Sequence, residues 1–479
     1  MEYQIVIPAG LAETLRRHLL TDRSREQLAV MLAGVRQTKT LTRILGRDLI
    51  LMPPDAFTRQ SAGGLELDRS VHRDVLRRAA AEGLSEVDFH THPGDGPSVG
   101  FSTTDDRNER QLALYLAERI PRSVYASVVL NDSACAARVW DLYRGTPLPV
   151  PISAPDFSTT GVSNGFSHSA AINARFDRQV RAFGPDLQRR LTSLRIGVVG
   201  VGGLGSVLLE QLARLGASKF VLVDPDVVEE SNLNRLIGAT PEDATEERTK
   251  VEVAARNIKR IDARSQVTAL RCTVSTARAL RALRDCDVLI AATDDDASRM
   301  IVNALACQYL IPLLHVGVNL APDGTGGFDD ISGEIALPEA GRWCLLCSGI
   351  VDAQRAARDL ACPDERALLH ERGYLPGTPA PAVYHLNGVV ASLAAAELHN
   401  LIWPYKQIRR YVVYRELAGE LMTVEVPASE RCLYCRPDGL LGLGDLAPLW
   451  RPSRDRSALP PVQPDSDDDD IAVTAVATR

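Results

Sequence analysis

Three groups of residues in this chain have the types and spacing to do chemistry. Two cysteine pairs share one spacing, Cys344-x-x-Cys347 and Cys432-x-x-Cys435. Four thiols in two such pairs suit a tetrahedral structural zinc site that fastens one end of a domain onto its body. His90-Thr91-His92-Pro93 is followed by Ser102-Thr103-Thr104-Asp105. Two histidines and one aspartate leave a fourth position open, the pattern of a catalytic zinc rather than a structural one. Such a site needs a base for its water, and Glu26, upstream in REQLAVMLAG, is the candidate. The third group is Gly200-x-Gly202-Gly203-x-Gly205, directly after the apolar run RIGVV, with Asp224 ending the later run KFVLVD. Glycines at this spacing allow a tight turn and a close approach to phosphate at a helix start, and the acidic residue can hold a ribose hydroxyl.

The glycine turn alone indicates nucleotide binding, with NAD the usual ligand. Its charged neighbours point elsewhere. Asp226, Asn234 and Arg235 follow Asp224, Lys250 opens the next helical stretch, and Asp294 closes a later strand-like run. Arg175, Arg178 and Gln179 precede the first strand. Hydride transfer needs none of these groups. Attack of a carboxylate on an α-phosphate needs Mg²⁺ and cations to neutralise the transferred group and the leaving pyrophosphate.

The elements that must position these groups can be read from periodicity. Residues 1–146 read as one small α/β unit, with helical stretches at LAETLRRHLL and SVHRDVLRRAAAEG between strand-like runs. Residues 147–170, rich in Pro, Ser, Thr and Gly, read as a linker. From 171 to 452 strand and helix alternate, which predicts a parallel sheet covered on both faces. Residues 453–479 read as a disordered acidic tail. The chain has 479 residues and a net charge of −7, which does not suggest a nucleic-acid binder. No apolar run is long enough to span a membrane, and no signal peptide is expected from MEYQIVIPAG. The default compartment is the cytoplasm, where nine cysteines favour metal or catalytic roles over disulfides.

From RFDRQV, RIGVVGVGGLGS, VLVDPDVVEESNLNR, Lys250 and ATDD, the second domain resembles the ThiF/MoeB/ubiquitin-activating superfamily. The resemblance implies a Rossmann-like adenylation domain. In it Gly200, Gly202, Gly203 and Gly205 bind ATP phosphates, Asp224 the ribose, Asn234, Arg235 and Lys250 the nucleotide, and Asp294 Mg²⁺. It also implies a homodimer in which Arg178 reaches the partner's ATP site, and zinc on Cys344, Cys347, Cys432 and Cys435. Cys362 lies in the region where some relatives place an acceptor cysteine. It reads equally as a nucleophile for the activated carboxyl group or as a half-buried structural thiol.

The first domain resembles the JAMM (MPN-plus) metallopeptidases on Glu26, HTHP and S-x-x-D. The resemblance implies zinc on His90, His92 and Asp105, with Glu26 activating water and Ser102 stabilising the oxyanion. The loop between Pro93 and Ser102 is two residues longer than usual, and the spacing favours Asp105 over Asp106. Together these readings give a fusion enzyme that trims or deconjugates a small ubiquitin-like β-grasp protein and adenylates its C-terminal carboxylate with Mg-ATP. The adenylate would pass to Cys362 or to a thiol carrier protein. The alternatives are a sulfur-carrier-activating adenylyltransferase for cofactor biosynthesis with a recruiting amino-terminal module, and an NAD-dependent oxidoreductase, against which Asn234, Arg235 and Lys250 argue.

Overall fold

The computed structural model describes residues 2–120, 123–141, 145–154, 172–361 and 381–449. Cys362 and the tail from 453 lie outside the described residues. None of the described helices is long and apolar enough to cross a membrane.

The first half opens with β1 (Glu2–Val6), β2 (Leu28–Gln37) and β3 (Leu41–Leu51), then a separate hairpin of β4 (Phe57–Ser61) and β5 (Gly64–Leu67). β6 (Ser85–Thr91), β7 (Tyr125–Leu130), β8 (Cys135–Asp141), β9 (Thr146–Pro149) and β10 (Ile152–Ser153) follow. The main sheet has the order β10-β1-β3-β2-β6-β7-β8-β9. Its central strand reads LAVMLAGV without polar alternation because both faces are covered. Ala29, Met31 and Ala33 pack with the helix Ala9–Leu19 through Ala12, Leu15 and Leu19. Leu28, Val30 and Leu32 face the opposite way, toward Val75 and Ala79 of the helix Arg69–Glu82 and Ala113 and Leu116 of the helix Thr103–Arg119.

Residues 147–153, expected to open the linker, are part of the first sheet instead. β9 pairs antiparallel with β8, and β10 pairs parallel with β1, so the chain through Ser153 belongs to the first sheet. Prolines gave this stretch its linker-like composition, but β9 is an edge strand, where a missing N–H is tolerated.

The second half contains β11 (Arg195–Val199), β12 (Lys219–Val223), β13 (Gln266–Leu270), β14 (Val288–Ala291), β15 (Leu313–Pro322), β16 (Phe328–Ala336), β17 (Tyr411–Arg415) and β18 (Glu420–Thr423). They form one sheet, β13-β12-β11-β14-β15-β16-β17-β18. The expected parallel pairing runs from β13 to β15, and the remainder is antiparallel. Ile196, Val198, Phe220 and Leu222 pack against the helices Gly203–Leu215, Lys250–Ile261 and Tyr384–Ile402. Val199, Val221 and Val223 pack on the other face, against Ala277–Arg284 and Asp296–Tyr309.

The two halves are joined through a strap that follows the last cysteine pair. The backbone N–H groups of Gly442 and Gly444 donate to the carbonyls of Cys307 and Gln308, fixing the strap to the second domain. On its other side, Asp445 N–H donates to Val35 O, and Gln37 N–H donates to the Asp445 carboxylate. Arg47 donates to the carbonyls of Gly439 and Leu441 at 3.0 and 2.7 Å. Beside the strap, Arg36 meets Asp285 at 3.2 Å and Arg43 meets Asp287 at 2.7 Å. Glycine permits this contact: a Cβ on Gly34 would lie 2.1 Å from the Gly442 carbonyl oxygen.

Candidate functional site

The phosphate turn sits where β11 gives way to the helix Gly203–Leu215. Gly200 has φ of +89°, and a Cβ there would meet the Ala292 carbonyl oxygen at 2.4 Å. A Cβ on Gly205 would lie 2.2 Å from the Gly200 carbonyl. These two glycines press the turn against the end of β14, directly before Thr293 and Asp294. Gly202 caps the helix, and a Cβ on it would meet nothing within 4 Å, leaving room where the first helical N–H groups point. Gly203 closes the turn against Arg235 and Asn387.

Around this turn the carboxylates and cations divide in two. Asp224 is buried at the end of β12, accepts from the Val201 and Asp226 N–H groups at 2.7 and 2.9 Å, and is pushed up by that burial. Lys250 begins the next helix, which a reciprocal Thr249–Glu252 cap starts, and its amine lies 2.7 Å from Asp226. Arg235 donates to the Ser231 carbonyl and to Asn234. Asp294 is exposed at the mouth of the loop, and Arg299 braces that loop by donating to the Thr293 carbonyl at 3.0 Å. Arg299 and Asn387 are additions that the sequence reading missed. Asn387 is 1% exposed with an unpartnered Oδ1. Its only signal was a lone amide in the apolar stretch HLNGVV.

The segment Arg175–Gln179 does not join this turn within one chain. Gln179 donates to the Leu215 carbonyl and Arg175 to the Ile261 carbonyl, both at helix carboxyl ends. Helix Gly203–Leu215 has 13 residues, so Leu215 stands about 20 Å from the phosphate turn at 1.5 Å per residue. Grouping these cations with the phosphate site of the same chain is therefore corrected. Arg178 itself is exposed.

The four paired cysteines come together. Their closest sulfur separations are 3.7 Å for Cys344–Cys347, 3.7 Å for Cys344–Cys432 and 3.6 Å for Cys347–Cys435. A tetrahedral zinc with bonds of about 2.3 Å implies sulfur–sulfur edges of about 3.8 Å, so the cluster fits that ion. Cys307 is buried beside the cluster.

In the first domain, His90 is the penultimate residue of β6 and His92 directly follows the strand, held by its N–H to the Leu130 carbonyl. Asp105 arrives from another element, the first turn of the helix Thr103–Arg119. Ser102 and Asp105 cap that helix reciprocally: Ser102 N–H donates to the Asp105 carboxylate, and Asp105 N–H donates to Ser102 Oγ. The Asp105 oxygens lie 3.7 Å from His90 Nε2 and 3.6 Å from His92 Nε2. His90 Nε2 is buried without a hydrogen-bond partner, as expected of a nitrogen reserved for a metal. Burial pushes Asp105 up, but the charge of nearby His90 and the donors at Ser102 hold it well below the usual carboxylate range. Burial and His90 push the His92 imidazole down, toward the neutral form a metal requires. Asp106 is occupied by Arg138 at 2.6 Å, which leaves Asp105 as the third donor.

Glu26 stands 4.0 Å from His92, and burial pushes its carboxyl up to about 7. Its backbone is pinned by the β4–β5 hairpin, through its N–H to the Ser61 carbonyl and Gln60 Nε2 to its own carbonyl. That hairpin and Gln60 were not legible in the sequence, because neither carries a metal-ligand spacing.

A profile of the ThiF family matches residues 176–434. The chain is similar to the "Sulfur carrier protein ThiS adenylyltransferase" of Bacillus subtilis, 32% identical over 146 residues, covering 30% of this chain and 44% of that one. It is also similar to the "Molybdopterin-synthase adenylyltransferase" of Escherichia coli, 26% identical over 267 residues, covering 54% and 95%. A crystal structure of E. coli MccB with ATP superimposes with a TM-score of 0.43 at 19% identity, over 55% of this chain and 75% of that one. The chain spans about half the length of several curated relatives it matches, with 44%, 54% and 57% of three of them covered.

Proposed function

The chain belongs to the ThiF family, and on that premise we propose that residues 171–452 use Mg-ATP to adenylate the C-terminal carboxylate of a small β-grasp protein. A carboxylate oxygen attacks the α-phosphorus, and pyrophosphate leaves. The observation that carries this reading is the closed turn Gly200–Gly205 set against the Asp294 loop, with Asp224 and Lys250 beside it. The helix start would bind phosphate oxygens, Lys250 would exchange Asp226 for phosphate, and exposed Asp294 would hold Mg²⁺. Arg178, exposed and about a helix length away, is suited to another copy's site, which makes the active form a homodimer. ATP–pyrophosphate exchange tests the reading, using a panel of β-grasp proteins ending in Gly-Gly. Exchange that vanishes when the terminal carboxylate is amidated supports it; no exchange with any member overturns it.

The name of the Bacillus subtilis relative favours a sulfur carrier as that protein. Mass spectrometry of the product separates the readings: a thiocarboxylate marks a sulfur carrier, and a thioester marks conjugation, with Cys362 one candidate acceptor. For residues 1–154, we infer a zinc peptidase acting on the same protein. His90, His92 and Asp105 would hold the ion, which when bound supplies Lewis acidity toward a water molecule and a peptide carbonyl. Glu26 would take and return a proton, and the Ser102 hydroxyl would donate to the oxygen that gains charge. Cleavage of a carrier extended past its Gly-Gly, lost in Glu26→Gln, is the expected result. A fully metallated protein that leaves every extended carrier intact would sink this part alone.

A further inference from the structure

We infer that Arg138 is a positioning residue for the amino-terminal metal site, an inference that rests on the zinc-peptidase reading above. The three donors come from two elements: the histidines from the end of β6, Asp105 from the start of the helix Thr103–Arg119. Something must fix the helix in rotation and translation against the sheet, because the donor separations depend on it. Arg138 does this from β8, two strands away from β6. Its Nη1 meets Asp106 at 2.6 Å and its Nε meets Glu109 at 2.8 Å. Both acids lie on that helix, one and four residues past Asp105. Glu109 lies nearly beneath Asp105 on the helix, and Asp106 lies one step, about 100°, around it. Holding both fixes which way Asp105 faces.

The same guanidinium stacks 3.7 Å from the centroid of Phe101, the residue before Ser102. The Phe101 ring in turn lies 6.1 Å from His90, so one side chain touches the helix start and the wall behind a histidine donor. Glu109 is only 6% exposed and takes a second bond from Trp140 Nε1 at 2.7 Å, which anchors the clasp in the core. A flat fork that binds two carboxylates and stacks on a ring is a task for arginine, and lysine can satisfy only part of it.

The test is cobalt binding by the full chain after metal removal. The amino-terminal signal is the part of the visible spectrum that His90→Ala abolishes, which separates it from the thiolate site. We expect Arg138→Gln to weaken that site about 10- to 100-fold, as loss of a group that orients a metal ligand does, and to shift its visible band. Arg138→Lys should fall between it and the wild type. Asp106→Asn, at a side chain 56% exposed, should shift the band in the same direction without threatening the fold. Unchanged affinity and an unchanged band in all three folded variants would overturn the inference. Absence of any His90-dependent band in the wild type would instead remove the metal reading on which it rests.

Discussion

The two donor groups are separate in space, so they make separate demands on metal. Metal analysis of the purified chain should find two zinc ions, since two clusters can hold one each. His90→Ala or Asp105→Asn should remove one of them and leave the other. Retention of both would show that the histidine cluster is not a ligand set. At the nucleotide turn, Lys250→Ala should lower pyrophosphate exchange by about two orders of magnitude, the effect typical of losing a group that stabilises developing charge. A loss below about threefold would show that Lys250 does not act there. These residues were legible because each chemistry fixes a residue type at a short spacing: GxGxxG, HxH, CxxC. Asn387, Arg299, Gln60 and Arg138 were not. They reach their sites through the fold from distant elements, and nothing in their local sequence distinguishes them from surface or core polar residues.

The helix Lys250–Ile261 depends on its first turn, where Thr249 and Glu252 satisfy each other's backbone N–H groups. Thr249→Ala should cost about 1 kcal/mol, read as a lower midpoint in thermal denaturation. It should also weaken MgATP binding, because Lys250 is the helix's first residue. Unchanged binding with the expected stability loss would separate cap from site. The parallel half of the second sheet was legible because RIGVV, KFVLV and DVLIA are buried on both faces and alternate with helices. Its antiparallel half was less so. Only the end of β16 is buried, so its sequence carries no strong period, whereas the runs that form β17 and β18 read as strands. The hairpin β4–β5 stayed hidden for the same reason, with no buried residue in either strand.

The halves of the molecule are held by the strap that leaves Cys435 and passes between Gly34 and the end of the helix Asp296–Tyr309. Gly34→Val should push the strap away, since even a Cβ would lie 2.1 Å from a backbone oxygen. We expect calorimetry to show two unfolding transitions for this variant where the wild type shows one. A single transition at an unchanged temperature would mean that the strap does not couple the domains. Chelation or Cys435→Ser should give the same split by freeing the strap's anchored end. The strap's contacts hold the halves together beyond the covalent connection between them. In effect the protein is a heterodimer whose subunits share a backbone. Expressed as two polypeptides, residues 1–154 and 172–449 should reassemble and copurify, and a metal chelator should part them.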